Sequence, residues 1–268
     1  MFPSKIPGSS VVKSTVKSAF KGKGVNVTIA ALLPLLAGAI FYMLISVFKM
    51  VLPQKTEILI VAILFLSAVF IVYPVLLGAV RYFWRLTDGA EEPVTEVFYY
   101  YYSFFLYKRA VKTALLLVFK CFTALFTCLV PYLIVTVLSN GWIYRFLGAE
   151  VPLWVAGLAL VQSFLRLVGI FSGIAVIFRY YLFPAIAVMD DSMLLLEAMH
   201  ISVMVSRRSV GEFLTLLASF FGWMLLSLLA LPLVYTAPLF LGCYVVHCRY
   251  ALVNYNLSLD FYAKDKYF

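Results

Sequence analysis

Residues 25–48 read VNVTIAALLPLLAGAIFYMLISVF, twenty-four residues without a charge, closed by Lys49. A hydrocarbon core about 30 Å thick is crossed by about 20 helical residues rising about 1.5 Å each, so this stretch predicts a transmembrane helix. Uncharged runs of the same kind recur outward from it. One covers 58–80, between Glu57 and Arg81. A third covers about 113–138 and contains Lys120, and a fourth covers about 153–178 and contains Arg166. From 213 to 248 the chain lacks Asp, Glu, Lys and Arg for 36 residues, too long for one straight span. Pro232 and Pro238 divide it into spans near 212–231 and 235–253. The expectation is an all-α, polytopic membrane helix bundle of about six transmembrane helices with interfacial amphipathic linker helices. Its parts are a basic N-terminal amphipathic segment (1–24), a six-span domain (25–253) and a C-terminal tail (254–268).

Composition supports the same class. Hydrophobic residues are 65% of the 268 and charged residues 12%, against a usual 45–50% and about 25%. So few charges cannot cover the outside of a water-soluble domain, which excludes a soluble enzyme. The formal charge of +9 does not point to nucleic acid, because the basic residues lie between apolar runs and form no reading motif. They point to a membrane surface and to anionic lipids at its cytoplasmic face. With the N-terminus cytoplasmic, sixteen of the Lys and Arg residues fall in inside segments and three outside (Lys49, Lys55 and Arg145). That asymmetry places both termini in the cytoplasm. Cys121, Cys128, Cys243 and Cys248 show no CxxC spacing and read as reduced packing residues.

The polar segments carry the remaining signals. Lys13, Lys17 and Lys21 recur every fourth residue beside a Val12, Val16, Phe20 stripe. This is a short amphipathic helix, either lying on an anionic inner leaflet or serving as the topology signal for the first span; the second reading is preferred. Eight of the ten residues in 98–107 are Phe or Tyr, so a linker helix over 94–107 is expected at headgroup depth. Val80-Arg81-Tyr82-Phe83 is echoed by Phe178-Arg179-Tyr180-Tyr181. Acidic residues follow each copy (Asp88, Glu91, Glu92; Asp190, Asp191), then a surface helix with an early glutamate (Glu96; Glu197) and a basic pair (Lys108-Arg109; Arg207-Arg208). Such a pseudo-repeat is common in transporters and elsewhere.

The order Arg179-Tyr180-Tyr181-Leu182-Phe183-Pro184, Asp190-Asp191, Glu197-Ala198, Ser202, Phe213-Leu214, Ser219-Phe220-Phe221-Gly222-Trp223 resembles the bacterial integral membrane family called domain of unknown function 975. The segment 89–98 and Pro238 resemble it as well. The resemblance is most specific over 174–250, looser over 13–138 and weakest over 139–152. Where that family often has a Lys-Gly pair before the fifth span, this chain has Arg207-Arg208-Ser209-Val210-Gly211. The resemblance implies a multi-pass protein of the bacterial inner membrane and implies no activity.

Chemistry-bearing residues are few. Glu197 and His200 form one E-x-x-H, but a di-metal bundle needs a second, and His247 has Tyr244 at the matching position. Cys243 and His247 share a helix face beside Cys248; zinc or copper is the sharp reading, packing with one hydrogen-bonded histidine the preferred one. Asp190 and Asp191 suit either a metal-bridged headgroup substrate or a cap for the following helix, the cap being preferred. Gly169 and Gly173 read as close-packing residues. No G-x-S-x-G, Walker loop or H-E-x-x-H occurs, and no cofactor is expected. Arg166 is the main candidate. Thirteen residues place it about 20 Å from Arg179, and with Gln162 one turn away it is expected to line a polar inter-helix cavity; snorkelling to headgroups is the alternative. Lys120 is a lesser candidate. The leading function is a non-enzymatic accessory, scaffold or lipid-interacting envelope component. A transporter or exporter subunit for a small or anionic substrate comes second, and an intramembrane lipid-modifying enzyme third. A membrane-protein partner and homo-oligomerisation are left open.

Overall fold

The computed structural model describes residues 7–51, 57–139, 154–227 and 232–265. All its regular structure is helical, with no strand among the described residues. The elements in order are α1 (Ser9–Phe20), α2 (Gly24–Val51), α3 (Glu57–Ser67), α4 (Tyr73–Thr87), α5 (Phe104–Ser139), α6 (Trp154–Ile177), α7 (Phe183–Met189), α8 (Leu195–Leu226) and α9 (Leu233–Asp265). Short 3₁₀ turns cover Val94–Tyr101 and Phe178–Tyr180. Among the described residues, six helices are long and apolar enough to cross a membrane: Gly24–Val47, Ile60–Thr87, Phe104–Ser139, Leu160–Met189, Leu195–Leu226 and Leu233–Asn256. The protein is therefore a multi-pass membrane protein. The segments around Gln54 and 140–153, with Arg145 and Glu150, expected on the outer side, lie outside the described residues.

Several boundaries move. The second span runs past residue 80 to Thr87, because Arg81 and Arg85 find anionic partners inside the protein and the helix need not end at them. The expected linker helix over 94–107 divides in two, a 3₁₀ helix at 94–101 and the first turn of α5 from Phe104. The expected surface helix around Glu197 is not separate. It is the first part of α8, which continues without a break through Arg207-Arg208 to Leu226. Past residue 253, α9 remains helical to Asp265.

One span is interrupted. α3 passes into α4 through a π-turn at Ala68–Val72, immediately ahead of Pro74. Proline has no N–H, so the Phe70 carbonyl loses its α-helical donor. The Tyr107 hydroxyl donates to that carbonyl at 3.0 Å, and the Tyr101 hydroxyl donates to the Ile71 carbonyl at 2.8 Å. A backbone defect in an apolar segment is thus closed by two side chains of the aromatic linker.

The chain forms two compact units, one of residues 1–115 and 182–268, the other of 116–181. In the first, α1 docks its apolar stripe on α9. Val12 and Val16 are buried, and a Cβ at Gly242 would stand 2.6 Å from Phe20 Cζ and 2.7 Å from Val16 Cγ1. The stripe is spent on packing and does not face outward. The second unit is a helical hairpin of 116–139 and α6. A Cβ at Gly169 would lie 2.9 Å from the Cys128 carbonyl oxygen, and one at Gly173 would lie 2.7 Å from Leu125 Cδ2. Both glycines are the close-approach positions their spacing predicts.

Candidate functional site

The densest polar constellation sits on α4 and the elements around it. Gly78, Arg81 and Arg85 follow one another at three- and four-residue intervals, so they share a helix face. The 3₁₀ helix lies directly over that face. A Cβ at Gly78 would stand 1.9 Å from the Val97 carbonyl oxygen, so only glycine permits the approach. With three residues per 3₁₀ turn, Glu96 and Tyr99 project on one side while Val97 and Tyr100 project on another. Val97 and Tyr100 are fully buried.

This geometry encloses Arg81. Its guanidinium lies 3.5 Å above the Tyr99 ring, a cation–π contact, and its Nη1 donates to Asp191 Oδ2 at 2.9 Å. The Tyr99 hydroxyl donates to the same oxygen at 2.8 Å. Arg109 donates to the Met193 and Asp190 carbonyls at 2.9 and 2.8 Å, stapling the turn that carries Asp191. Arg81 Nε to Glu96 Oε2 and Arg109 Nε to Asp191 Oδ1 both measure 4.0 Å, ion pairs too long for a direct hydrogen bond. Around this centre, Arg85 pairs with Glu92, Lys23 with Glu91, and Arg249 with Asp88. Arg249 also donates to the Trp84 carbonyl at 2.7 Å and lies over its ring.

Ionisation follows this packing. Burial pushes the Tyr99 phenol up, its hydrogen bond to Asp191 adding to the effect. Burial likewise raises Tyr100, and it pushes Tyr101 up to about 12, with Tyr107 contributing. Asp190 is held below the ordinary carboxylate range by hydrogen bonds from the Ser192 hydroxyl and backbone N–H.

The expected site residues fall into different places. Neither aspartate caps α8. Leu194 occupies that position without a side-chain bond, Asp190 turns to Ser192, and Asp191 turns to Arg81. For Asp191 the buried guanidinium offers a full positive charge, where a cap would offer only backbone N–H groups. The pseudo-repeat is not reproduced either. Arg81 is buried within α4, whereas Arg179 is exposed in a 3₁₀ turn, and Arg81 and Arg109 both turn to the acidic residues that follow the second copy. Gln162 Nε2 donates to Thr136 Oγ1 at 2.9 Å across the hairpin, while Arg166 is exposed. Lys120 is half-buried on α5, where its carbonyl accepts from the Thr123 hydroxyl. Cys243, His247 and Cys248 are buried, with His247 bonded to the Ser209 backbone and its ring tilted against Phe213. Glu197 and His200 are exposed. Among the described residues, no three His, Cys, Asp or Glu side chains come together. Reading 94–107 as a linker helix at headgroup depth missed the role of Tyr99 and Glu96; the signal that finds it is their spacing of three opposite Gly78, Arg81 and Arg85.

Two apolar cavities complete the first unit. One of about 390 Å³ lies among α2, α4, α8 and α9, lined by residues such as Pro34, Leu76, Phe220, Met224, Ala237 and Phe240. Another of about 280 Å³ shares Leu76, Phe240 and Leu241 with it and continues to Pro184 and Tyr244. The polar groups on the larger wall, Ser227 and Thr236, hydrogen-bond each other at 2.8 Å. Arg166 lines neither cavity. No family model, curated protein or solved structure matches the chain.

Proposed function

We propose that this chain is a non-enzymatic, lipid-interacting accessory or scaffold protein of a bacterial cell membrane, with both termini cytoplasmic. The observation that carries the reading is the pair of adjoining apolar cavities in the first unit. In the larger one the polar wall groups, Ser227 and Thr236, satisfy each other, and the smaller one is lined by apolar side chains and the rings of Tyr73 and Tyr244, so both suit hydrocarbon better than a hydrated solute. The charged residues nearest to a site-like cluster are neutralised in pairs: Arg81, Arg85 and Arg109 stand against Glu92, Glu96 and Asp191. A cluster so balanced and so enclosed suits a structural brace. The resemblance to the domain-of-unknown-function 975 family supports the inner-membrane placement, and the basic asymmetry of the loops supports the orientation.

Lipid retention tests this. Protein purified in mild detergent should carry lipid that native mass spectrometry detects, and filling the larger cavity with Ala237→Phe should displace it. Lipid-free wild-type protein would overturn the reading. The transporter reading keeps one observation in its favour, the π-turn at 68–72, since broken spans mark many transporters. Proteoliposomes that move a small anion only when the protein is present would establish it.

A further inference from the structure

The larger cavity adjoins a cationic helix at one residue. Phe220 lines the cavity, and the Lys13 ammonium of α1 lies 4.5 Å from the centre of the Phe220 ring. The same ammonium donates to the Ser219 carbonyl at 3.3 Å, which orients it against α8 and uses one of its three N–H groups. Lys17, one helical turn on, is exposed, and the neighbouring Val16 packs where Gly242 of α9 leaves room. Gly242 follows Leu241, which lines both cavities. α1 contains no acidic residue, and its apolar stripe is held on α9, so its cations are fixed in place.

We infer that Lys13, Lys17 and the cavity beyond Phe220 together form a binding site for an anionic phospholipid. The headgroup phosphate lies against the two lysines, and one acyl chain passes Phe220 into the space bounded by Pro34, Leu76, Met224, Ala237 and Phe240. The charge of α1 is complementary to such a headgroup, and the cavity wall is complementary to its chain. A single acyl chain holds a membrane ligand weakly and a chain combined with a basic patch holds it firmly, which is the combination present here. This inference rests on the lipid-interacting reading and adds selectivity for negative charge.

The test uses the full-length protein in nanodiscs of phosphatidylcholine, doped with spin-labelled phosphatidylglycerol or spin-labelled phosphatidylcholine. Wild type should immobilise phosphatidylglycerol in preference to phosphatidylcholine. Lys17→Gln should lower that preference about fivefold, from a contribution of about 1 kcal/mol per lysine near a membrane surface. Lys13→Gln, Lys17→Gln together should abolish it while circular dichroism stays unchanged. Lys17 is exposed, so its single variant keeps the test decisive if the double variant is unstable. Ala237→Phe should release the immobilised fraction of both lipids. Equal immobilisation of the two lipids by wild type, or a preference that survives in the Lys17→Gln variant, overturns the anionic site and leaves the lipid-interacting reading standing. No immobilised fraction with either lipid removes both.

Discussion

The two units of this protein solve the same problem with different means. In the hairpin of 116–181, side chains along both helices face outward: Phe119, Phe122, Phe126, Leu160, Phe164 and Phe171 are all exposed. None of the apolar window in the Phe104–Ser139 span is buried, against 56% of that in the Leu233–Asn256 span of the other unit. Lipid tails are as apolar as these side chains, so no hydrophobic effect draws such helices together. The hairpin is held instead by the close approach at Gly169 and Gly173 and by the bond from Gln162 to Thr136. The other unit holds a core of large buried side chains, among them Tyr82, Phe83, Tyr100, Phe183 and Phe220, beside a buried arginine. There the chain is stabilised as a soluble protein is, with the added demand that every buried charge be answered.

Substitution at Arg81 should break this contrast most. Arg81→Met leaves Asp191 and Glu96 facing each other's surroundings without their cation. The loss should be about 3–5 kcal/mol, the usual cost of removing one partner of a buried pair, read as a large fall in thermal midpoint in detergent. A variant as stable as wild type would mean that the cluster is ornamental to the fold. Replacing Asp191 as well should recover part of the loss, because the uncompensated charge would be gone.

Glycine substitutions sharpen the comparison next. Gly78→Ala sets a Cβ against the Val97 carbonyl, a backbone atom that cannot rotate away. Gly169→Ala meets the Cys128 carbonyl as well, but only at 2.9 Å. Overpacking of this kind costs about 1–3 kcal/mol, and Gly78→Ala should fall at the upper end with Gly169→Ala below it. The reverse order, measured by the same unfolding assay, would show that the hairpin is the more tightly specified unit.

The π-turn supplies a smaller effect with a pH signature. Tyr101→Phe removes the bond to the Ile71 carbonyl and should cost about 1 kcal/mol. Desolvation, with Tyr107 contributing, pushes the Tyr101 phenol up to about 12 from its ordinary 10.0. A raised value means that its contribution is complete below pH 10 and is lost as the pH rises through 12. Stability should therefore decline over that window in wild type and decline less in Tyr101→Phe. Parallel alkaline profiles would contradict the assignment of Tyr101 as a phenol hydrogen-bonded to the Ile71 carbonyl.

Arg166 should show the smallest effect. It is exposed on α6, so Arg166→Leu should change stability by no more than about 0.5 kcal/mol. A loss above about 1 kcal/mol, measured in the same detergent, would support the inter-helix role that its place in an apolar run suggests.

The membrane class and the number of spans follow from the sequence alone, because a charge-free run of twenty residues has one stable form in a bilayer and that requirement is local. The close packing of Gly169 and Gly173 was legible for the same reason: a spacing of four puts both on one helix face. Tertiary structure alone decided the polar cluster. Arg81, Glu96, Tyr99, Arg109 and Asp191 come from four separate elements, 110 residues apart at the extreme of Arg81 and Asp191. In the sequence each looks like an interfacial charge or aromatic, and nothing local distinguishes an arginine that ends a span from one buried against a distant carboxylate. The boundaries moved for that reason as well: α4 continues past Arg81 and α8 runs through Arg207-Arg208, because a helix ends where its backbone partners end and not where the first charge appears. Cavities are likewise invisible in one dimension, since they arise from how α2, α4, α8 and α9 fail to fill the space between them.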